Sequence, residues 1–166
     1  MNPLEKIKSK VDSEIHDRIP KKWKKIGDII ILDFKTIDEN KRQEIAKFYA
    51  EELGAKTIIQ KNSISGELRK PEKVELLYGE ETTTEITEYG ISYKLDLSET
   101  MWSPGNTGWR SALEGPAKIN DFYTFDNPKI IIDYFAGIRY FALQMAKGYP
   151  QAKIIAIDKN PRSIEY

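Results

Sequence analysis

The sequence predicts an α/β protein in which a mixed α+β N-terminal region is followed by a β-α-β unit. Three patterns predict this fold class. Residues 26–60 contain an apolar strand, a helix and a second strand. Residues 82–97 alternate between polar and apolar side chains on both sides of a turn, which is typical of a hairpin. Residues 129–161 contain a strand, a glycine turn, a helix and another apolar strand, which is typical of parallel pairing.

Composition narrows the class of protein. The chain has 166 residues, which suggests one domain or two small ones, and its 31% charged and 11% aromatic residues argue against disorder. It has no cysteine, which excludes disulfides and thiolate metal sites and fits a cytoplasmic protein. A single histidine, His16, cannot build a His-based metal cluster or a Ser-His-Asp triad. No apolar run approaches the roughly 20 residues of a membrane span. We therefore expect no metal and no membrane partner.

The first 34 residues are predicted to form a helix and a strand. Residues 3–18 carry an apolar stripe at helical spacing, and Pro20 ends this helix. Residues 26–34 form the first strand. Their continuous apolar run, Ile29–Leu32, predicts burial on both faces of a sheet.

A second helix and a second strand follow. Thr36 and Glu39 have the spacing of a capping box, which predicts a helix that begins there and continues through Leu53. Gly54 is the expected C-terminal stop. Residues 56–60 then form the second strand.

A basic cluster precedes the first strand. Lys21, Lys22, Lys24 and Lys25 surround Trp23. One interpretation is contact with nucleic-acid phosphates, with the indole as a stacking platform. The other is a solvated approach to the first strand, with the tryptophan packed inward. The formal net charge of the chain is zero, so composition does not decide between the two.

The next region contains a turn and a hairpin. Gly66 permits a turn with positive φ, and Arg69 beyond it is a candidate phosphate contact. Tyr89-Gly90 marks the turn between strands at 82–89 and 91–97, which we predict to be antiparallel. The alternative is a mixed α+β region without a site of its own.

These patterns divide the chain into three parts. Residues 1–98 form an N-terminal α/β domain, residues 99–128 a connecting loop with a short helix, and residues 129–166 an incomplete nucleotide-binding domain. The connection carries Trp102 and Trp109 in a loop rich in proline and glycine. Each tryptophan either anchors the core or stacks on a base or ligand.

Two acidic residues mark the predicted nucleotide site. Asp133 ends the first strand of the β-α-β unit, Gly137 lies in the turn after it, and Asp158 ends the second strand. An acid about 20 residues beyond such a turn can meet ribose hydroxyls. The alternatives are a turn carboxylate for Asp133, a plain turn at Gly137 and a helix N-cap for Asp158. A doubly wound sheet needs further strands beyond residues 129–166. The open edge beside residues 154–157 predicts pairing of two copies.

Six motifs occur in an order that is far more specific than any single turn. They are Gly66–Pro71, Leu76–Gly79, Tyr93–Asp96, Met101–Asn106, Asp133–Phe141 and Ala156–Pro161. Together they resemble the archaeal and eukaryotic tRNA guanosine-37 N1-methyltransferases and the related wybutosine-synthesising aminocarboxypropyltransferases. The resemblance covers roughly residues 26–161. It implies a domain that helps to position tRNA, followed by a Rossmann-like domain that binds S-adenosylmethionine.

The resemblance also implies which residues bind the cofactor and the nucleic acid. The expected cofactor-binding residues are Ser103, Asn106, Arg110, Asp133, Phe135, Ala136, Gly137, Asp158 and Lys159. The expected tRNA contacts are the lysines of the basic cluster and Arg69. No catalytic residue is assigned.

The branch of the family determines the expected reaction. The Ser-x-Gly-Asn sequence at 103–106 and the pair Tyr140-Phe141 look more like the aminocarboxypropyl branch. The methyltransferase branch more often has an arginine that would clamp the methionine carboxylate where this chain has Gly105. The expected reaction is therefore transfer of the 3-amino-3-carboxypropyl group to the modified guanosine at position 37. The alternatives are N1-methylation and a truncated, non-catalytic tRNA-binding remnant.

Two residues depart from the family pattern. Arg139 stands where the second glycine of the turn is usual, and an arginine there would either fill the site or point to solvent. Trp109 stands where a glutamate is usual, and that glutamate would serve the methyltransferase branch as a base. Both departures favour a binding module over an enzyme.

Overall fold

The computed structural model describes residues 2–34, 36–103, 105, 107–112 and 127–166. Two compact units make up the chain. The first comprises residues 1–64 and 71–85, and the second comprises residues 65–70 and 86–166. Within the described ranges, no helix combines the length and the apolar character that a membrane span requires.

Short helices and strands alternate along the chain. The helices are α1 Pro3–Lys8, α2 Glu39–Leu53, α3 Thr107–Ala112, α4 Tyr140–Gly148 and α5 Pro161–Glu165. The strands are β1 Lys24–Ile26, β2 Ile29–Ile31, β3 Thr57–Lys61, β4 Ile64–Ser65, β5 Lys70–Pro71, β6 Val74–Tyr78, β7 Thr83–Glu88, β8 Ile91–Asp96, β9 Ile130–Asp133 and β10 Lys153–Ala156.

The first unit is built on a four-stranded sheet with the order β1-β2-β3-β6. Strand β2 is parallel to β3, whereas β1 and β6 pair antiparallel with their neighbours. The prediction of one strand over 26–34 is wrong at its start, because the chain reverses at Gly27 between β1 and β2. Gly27 has φ +57°, and a Cβ there would lie 2.1 Å from Thr84 Oγ1, so only glycine fits this turn.

Helix α2 covers this sheet with a stripe that includes Ile45 and Tyr49, both almost fully buried. Gly54 ends the helix in the left-handed conformation, as predicted, and its N–H donates to Ala50 O. The predicted capping box does not form. Asp38 is the N-cap residue, and its side chain makes no capping hydrogen bond.

The predicted first helix is shorter than its apolar stripe. Helix α1 ends at Lys8, and one 3₁₀ turn follows at Ser13–Ile15. Beyond Lys8 the backbone hydrogen bonds tighten to three-residue spacing, as from Val11 N to Lys8 O. Ile7 and Ile15 are nevertheless buried in the core, so the stripe predicts burial correctly even where the helix is interrupted.

The second unit contains the predicted β-α-β unit and most of the predicted hairpin, whose strand β7 begins in the first unit. Strands β7 and β8 pair around Tyr89-Gly90, and both turn residues have positive φ, as a tight hairpin turn requires. Strands β9 and β10 are parallel, with Asp133 opposite Ala156. Helix α4 packs on one face of this pair. On β9, Ile130 and Ile132 remain 58% and 43% exposed.

Candidate functional site

A cavity of about 560 Å³ lies in the second unit, beside the carboxyl ends of β9 and β10. Its lining residues are Glu67, Leu68, Arg69, Met101, Phe135, Gly137, Tyr140, Asp158, Lys159 and Ser163. Ligands of parallel α/β sheets bind at this end of the strands, because the turns and helix starts there present backbone N–H groups. A cavity of similar size in the first unit is lined by Asp28 and Lys56, whose charged atoms pair at 2.7 Å. The parallel strands β2 and β3 begin at this cavity and end elsewhere, so the cavity in the second unit is the candidate site.

Backbone hydrogen bonds join the turn after β9 to the end of β10. Ile157 N donates to Asp133 O at 2.8 Å, and Ala136 N donates to Ile157 O at 3.0 Å. Gly137 N then donates to Asp158 Oδ2 at 2.7 Å. The carboxyl ends of the two strands therefore meet at one edge of the sheet, which is the arrangement that the sequence predicts.

Both carboxylate oxygens of Asp158 accept backbone hydrogen bonds at this edge of the sheet. Its other oxygen, Oδ1, accepts a 2.8 Å hydrogen bond from Asn160 N. Asn160, and not Asp158, is the N-cap of α5, because Asn160 Oδ1 accepts from Arg162 N at 3.1 Å. Each carboxylate oxygen has two lone pairs. Asp158 can therefore keep its two backbone contacts and still accept hydroxyl groups from a ligand in the cavity.

Asp133 is the last residue of β9 and is not among the residues that line the cavity. Its Oδ1 accepts from Phe135 N at 3.3 Å, whereas its Oδ2 is buried without a hydrogen-bond partner among the described residues. Burial raises the pKa of the Asp133 carboxyl. The N–H groups of Phe135 and Ala142 oppose the shift, and the charge of Asp158 adds to it. A buried acceptor of this kind suits a cationic group.

The structure brings together some of the predicted site residues. Phe135, Gly137, Asp158 and Lys159 line the cavity as expected of cofactor-binding residues, and so does Arg69, which the sequence suggests as a phosphate contact. Ser103, Arg110, Asp133 and Ala136 do not line it, and Asn106 lies outside the described residues.

One wall of the cavity is absent from the predicted site. Glu67, Leu68, Met101, Tyr140 and Ser163 line the cavity without having been predicted. An ion pair between Lys159 Nζ and Glu67 Oε2 joins the Gly66 turn to the loop after β10. The family motifs that begin at Gly66, Met101 and Asp133 contain four of these residues, whereas Ser163 lies outside every motif.

Arg110 lies in the protein interior. Its guanidinium is fully buried and makes a bidentate contact with Glu88, with Nε–Oε2 at 2.8 Å and Nη2–Oε1 at 3.1 Å. The sequence assigns Arg110 to cofactor binding. In the structure, β7 supplies Glu88 as its partner, which directs the guanidinium away from the cavity lining.

Arg139 departs from the glycine pattern without filling the cavity. It has φ +66°, so it keeps the left-handed conformation that favours glycine. Its Nη2 donates to Tyr166 O, and the residue is not among those that line the cavity. Neither expected position of this side chain, in the site or in solvent, is the observed one.

The two tryptophans of the connection have different environments. Trp102 is 5% exposed and packs on Tyr93 and Tyr140, with ring centroids 5.6 and 5.8 Å away. It therefore anchors the core of the second unit. Trp109, in contrast, is 62% exposed.

The basic cluster combines structural and exposed amines. Lys25 Nζ donates to Leu53 O at 2.9 Å and to Gly54 O at 3.2 Å, which caps the C-terminus of α2. Lys21 pairs with Asp17 at 3.6 Å. Burial lowers the pKa of Lys24. Lys22 is exposed, and Trp23, at 36% exposure, contacts Tyr49 edge-on.

Among the residues that the structure describes, no group of three or more His, Asp or Glu side chains could hold a metal ion.

Family models match both parts of the chain. The TYW2 N-terminal domain matches residues 4–82, and the TRM5/TYW2 methyltransferase domain matches residues 84–166. The second match contains every residue of the candidate cavity except the three on the Gly66 turn.

Curated relatives and solved structures agree with these matches. A tRNA(Phe) (4-demethylwyosine(37)-C(7)) aminocarboxypropyltransferase of Pyrococcus horikoshii is 38% identical over 160 residues, covering 96% of this chain and 54% of that protein. The crystal structure of P. horikoshii TYW2 in complex with MeSAdo has a TM-score of 0.73 and 36% identity, covering 98% of this chain and 55% of that one. The complex structure of aTrm5 and tRNALeu has a TM-score of 0.77 and 28% identity, and the match covers 99% of this chain and 47% of that one. The chain therefore spans about half the length of the relatives it matches.

Proposed function

The chain belongs to the TRM5/TYW2 family, and from this premise we propose that it binds S-adenosylmethionine and takes part in transfer of the 3-amino-3-carboxypropyl group to the modified guanosine at position 37 of tRNA. A tRNA substrate also fits a cytoplasmic protein. The aminocarboxypropyltransferase of P. horikoshii, which is 38% identical over 160 residues, supports this proposal.

The contact between Gly137 and Asp158 carries the proposal. It places a carboxylate with free lone pairs beside a glycine turn in a cavity of about 560 Å³. Among the described residues, a Cβ on Gly137 would have only Tyr140 Cε1 within 4 Å, at 3.9 Å, so the backbone of the turn is open to a ligand. Ribose hydroxyls would donate to Asp158, and the turn would allow the nucleoside to approach closely.

The remaining residues of the site fit the rest of the cofactor. Phe135 is 89% exposed at the cavity, so its ring can stack on an aromatic base. Arg69 places positive charge on the lining, which suits the methionine carboxylate or a tRNA phosphate, whereas the charge of Lys159 is already paired with Glu67. Asp133 supplies a buried acceptor beneath the turn for an ammonium group.

These residues would act by binding and orientation. When bound, S-adenosylmethionine supplies a sulfonium whose three attached carbons are electrophilic, and the carbon aligned with the nucleophile is the one transferred. Gly105 is exposed and offers no side chain to clamp the methionine carboxylate. The aminocarboxypropyl chain is therefore free to turn towards the base. The 38% sequence identity to the P. horikoshii aminocarboxypropyltransferase also favours transfer of this group.

A tRNA-binding module without catalysis is the second candidate. Trp109 supplies no carboxylate where a base would be expected, and its exposed indole suits stacking on a nucleotide. The relative that was solved with tRNALeu supports a nucleic-acid partner for this family. Pairing of two copies through the edge of β10 remains a prediction, which sedimentation can test.

Two measurements test the proposal. Calorimetric titration of the chain with S-adenosylhomocysteine should show saturable binding with micromolar affinity, and a titration without heat would contradict cofactor binding. Incubation of tRNA with S-adenosylmethionine labelled either in the methyl group or in the carboxypropyl chain then identifies the reaction. Label from the carboxypropyl chain alone supports the proposal. Label from the methyl group indicates N1-methylation, and no label with retained tRNA binding indicates the module.

A further inference from the structure

The second unit contains a fully buried arginine, Arg110, which pairs with the carboxylate of Glu88. Arg110 is 0% exposed, and Glu88, at the end of β7, accepts from its Nε and Nη2. A bidentate pair of this kind fixes the plane of the guanidinium as well as its position. Breaking a buried pair by removing one partner leaves an uncompensated charge in the interior. The geometry of this pair is therefore strongly maintained.

The fixed guanidinium plane supports the residues around it. Arg110 Cζ lies 5.0 Å from the ring centroid of Trp102 and 5.2 Å from that of Tyr140. Its Nη1 donates to Ser103 O at 3.0 Å, which restrains the backbone just after Trp102. One side chain thus holds two aromatic rings and the loop that carries one of them.

Tyr140 is also held from its backbone. Its carbonyl accepts a 3.3 Å hydrogen bond from the hydroxyl of Tyr93, which lies on β8. That hydroxyl accepts in turn from Gln144 Nε2 at 3.2 Å. The β7–β8 hairpin therefore supports the start of α4 through two routes, one from Glu88 and one from Tyr93.

The supported residues form one side of the candidate site. Tyr140 lines the cavity directly, and Met101, adjacent to Trp102, lines it as well. Neither Glu88 nor Arg110 lines it. We propose that Glu88 and Arg110 are positioning residues, which hold Met101 and Tyr140 in the places where these two side chains contact the cofactor. This inference rests on the proposed function. This role replaces the direct cofactor contact that the sequence suggests for Arg110.

The experiment uses the full chain with Arg110→Lys, which keeps the charge but cannot make the bidentate contact, and with Glu88→Gln. Calorimetric titration with S-adenosylhomocysteine is performed well below the melting temperature of each variant. We expect at least a tenfold rise in Kd for Arg110→Lys and a smaller rise for Glu88→Gln, with unchanged stoichiometry. Wild-type affinity in folded Arg110→Lys would show a merely structural role and would overturn the proposal.

A second readout does not depend on the ligand. The chain has three methionines, so ¹³C-methyl spectra resolve Met101 in the wall and Met145, a core residue of α4. The Met101 signal should move in both variants while the Met145 signal stays in place. An unchanged Met101 signal overturns the positioning role even if the wild type binds no ligand. Absence of binding by the wild type, with a shifted Met101 signal, counts against the proposed function alone.

A matched control comes from the first unit. Arg42 and Glu75 form a half-buried pair at 3.5 Å, and neither lines the cavity. Arg42→Lys should leave both the Kd and the Met101 signal unchanged. A change equal to that of Arg110→Lys would mean that the effects are not specific to the Glu88–Arg110 pair.

Discussion

Gly137 N and Asp158 Oδ2 are 2.7 Å apart although 21 residues separate them in sequence. This contact ties the turn after the first strand to the end of the second one. A hydrogen bond from a backbone N–H to a carboxylate is among the stronger ones in proteins and contributes about 1.5–3 kcal/mol to the free energy of unfolding. The shape of the turn therefore depends on an acid that is also free to bind a ligand.

Substitution of Asp158 should separate these two roles. Asp158→Ala removes both backbone contacts, and we expect it to lower the free energy of unfolding by about 2–4 kcal/mol and to abolish S-adenosylhomocysteine binding. Asp158→Asn keeps one acceptor oxygen, so it should lose less stability while still losing at least tenfold in affinity. Urea unfolding and calorimetry measure the two effects. Wild-type affinity in Asp158→Asn would contradict the ribose role.

Asp133 should make stability depend on pH with an unusual sign. Burial raises its pKa in the folded chain above the ordinary value of 3.8. The folded state therefore holds this proton more tightly, so the associated stability is complete below the unfolded pKa and is lost as pH rises through the folded one.

Asp133→Asn removes this loss while keeping an acceptor for Phe135 N. We expect its melting temperature to match that of the wild type near pH 3 and to exceed it increasingly towards pH 7. Thermal unfolding across this range, at constant ionic strength, is the measurement. A difference in melting temperature that stays constant from pH 3 to pH 7 would show that ionisation of Asp133 does not affect stability, and it would contradict the prediction.

Gly79 should tolerate no side chain. It has φ +86°, and a Cβ there would lie 2.5 Å from the backbone oxygen of Lys56. Left-handed strain and overpacking together predict that Gly79→Ala costs about 2–4 kcal/mol. Gly54 is the matched control, because it also has positive φ but nothing within 4 Å of its Cβ. Gly54→Ala should cost about 1 kcal/mol. Equal losses in urea unfolding would mean that the close contact has no effect.

The hydroxyl of Tyr49 should stabilise the first unit. Tyr49 is fully buried, and its hydroxyl donates to Pro20 O. Tyr49→Phe leaves that carbonyl without its donor, so we expect a loss of about 1–3 kcal/mol in the free energy of unfolding. Tyr78→Phe, at a position that is 36% exposed, is the control and should change little. A Tyr49→Phe variant as stable as the control would contradict this prediction.

The lysines of the basic cluster should differ in what they contribute. Lys22→Gln should weaken tRNA binding and reduce the slope of log K against log salt by about 0.7–0.9, as one lost phosphate contact does. Lys25→Gln should instead destabilise the C-terminus of α2, because Lys25 donates to Leu53 O and Gly54 O. Gel shifts at several salt concentrations and urea unfolding measure the two effects. An unchanged salt slope in Lys22→Gln would remove that residue from the tRNA contacts.

The parts of the fold that local patterns determine could be predicted. The apolar runs of β9 and β10 bracket a helix and leave parallel pairing as the only compact solution, and the structure confirms it. The hairpin at Tyr89-Gly90 follows from strict alternation around a turn. The family is also confirmed, because its models match residues 4–82 and 84–166.

The parts that depend on contacts between distant residues could not. The reversal at Gly27 is determined by Thr84, which lies 2.1 Å from where a Cβ would be. Arg110 faces inward because Glu88 lies 22 residues earlier on a neighbouring hairpin. Glu67, in the wall of the cavity, likewise forms an ion pair with Lys159, which is far from it in sequence. No periodicity in the sequence records these pairings.

The conformation of Arg139 has a consequence for how such turns are recognised. A left-handed backbone costs a residue with a side chain about 1–2 kcal/mol, yet the chain keeps φ +66° here without the usual glycine. Arg139 N donates a 2.7 Å hydrogen bond to the carbonyl of Ala136. This contact joins backbone atoms, so it stabilises the bend without using the side chain at position 139. A database search keyed to the glycines of this loop would therefore overlook proteins that retain its geometry. A template defined by backbone angles would recover them.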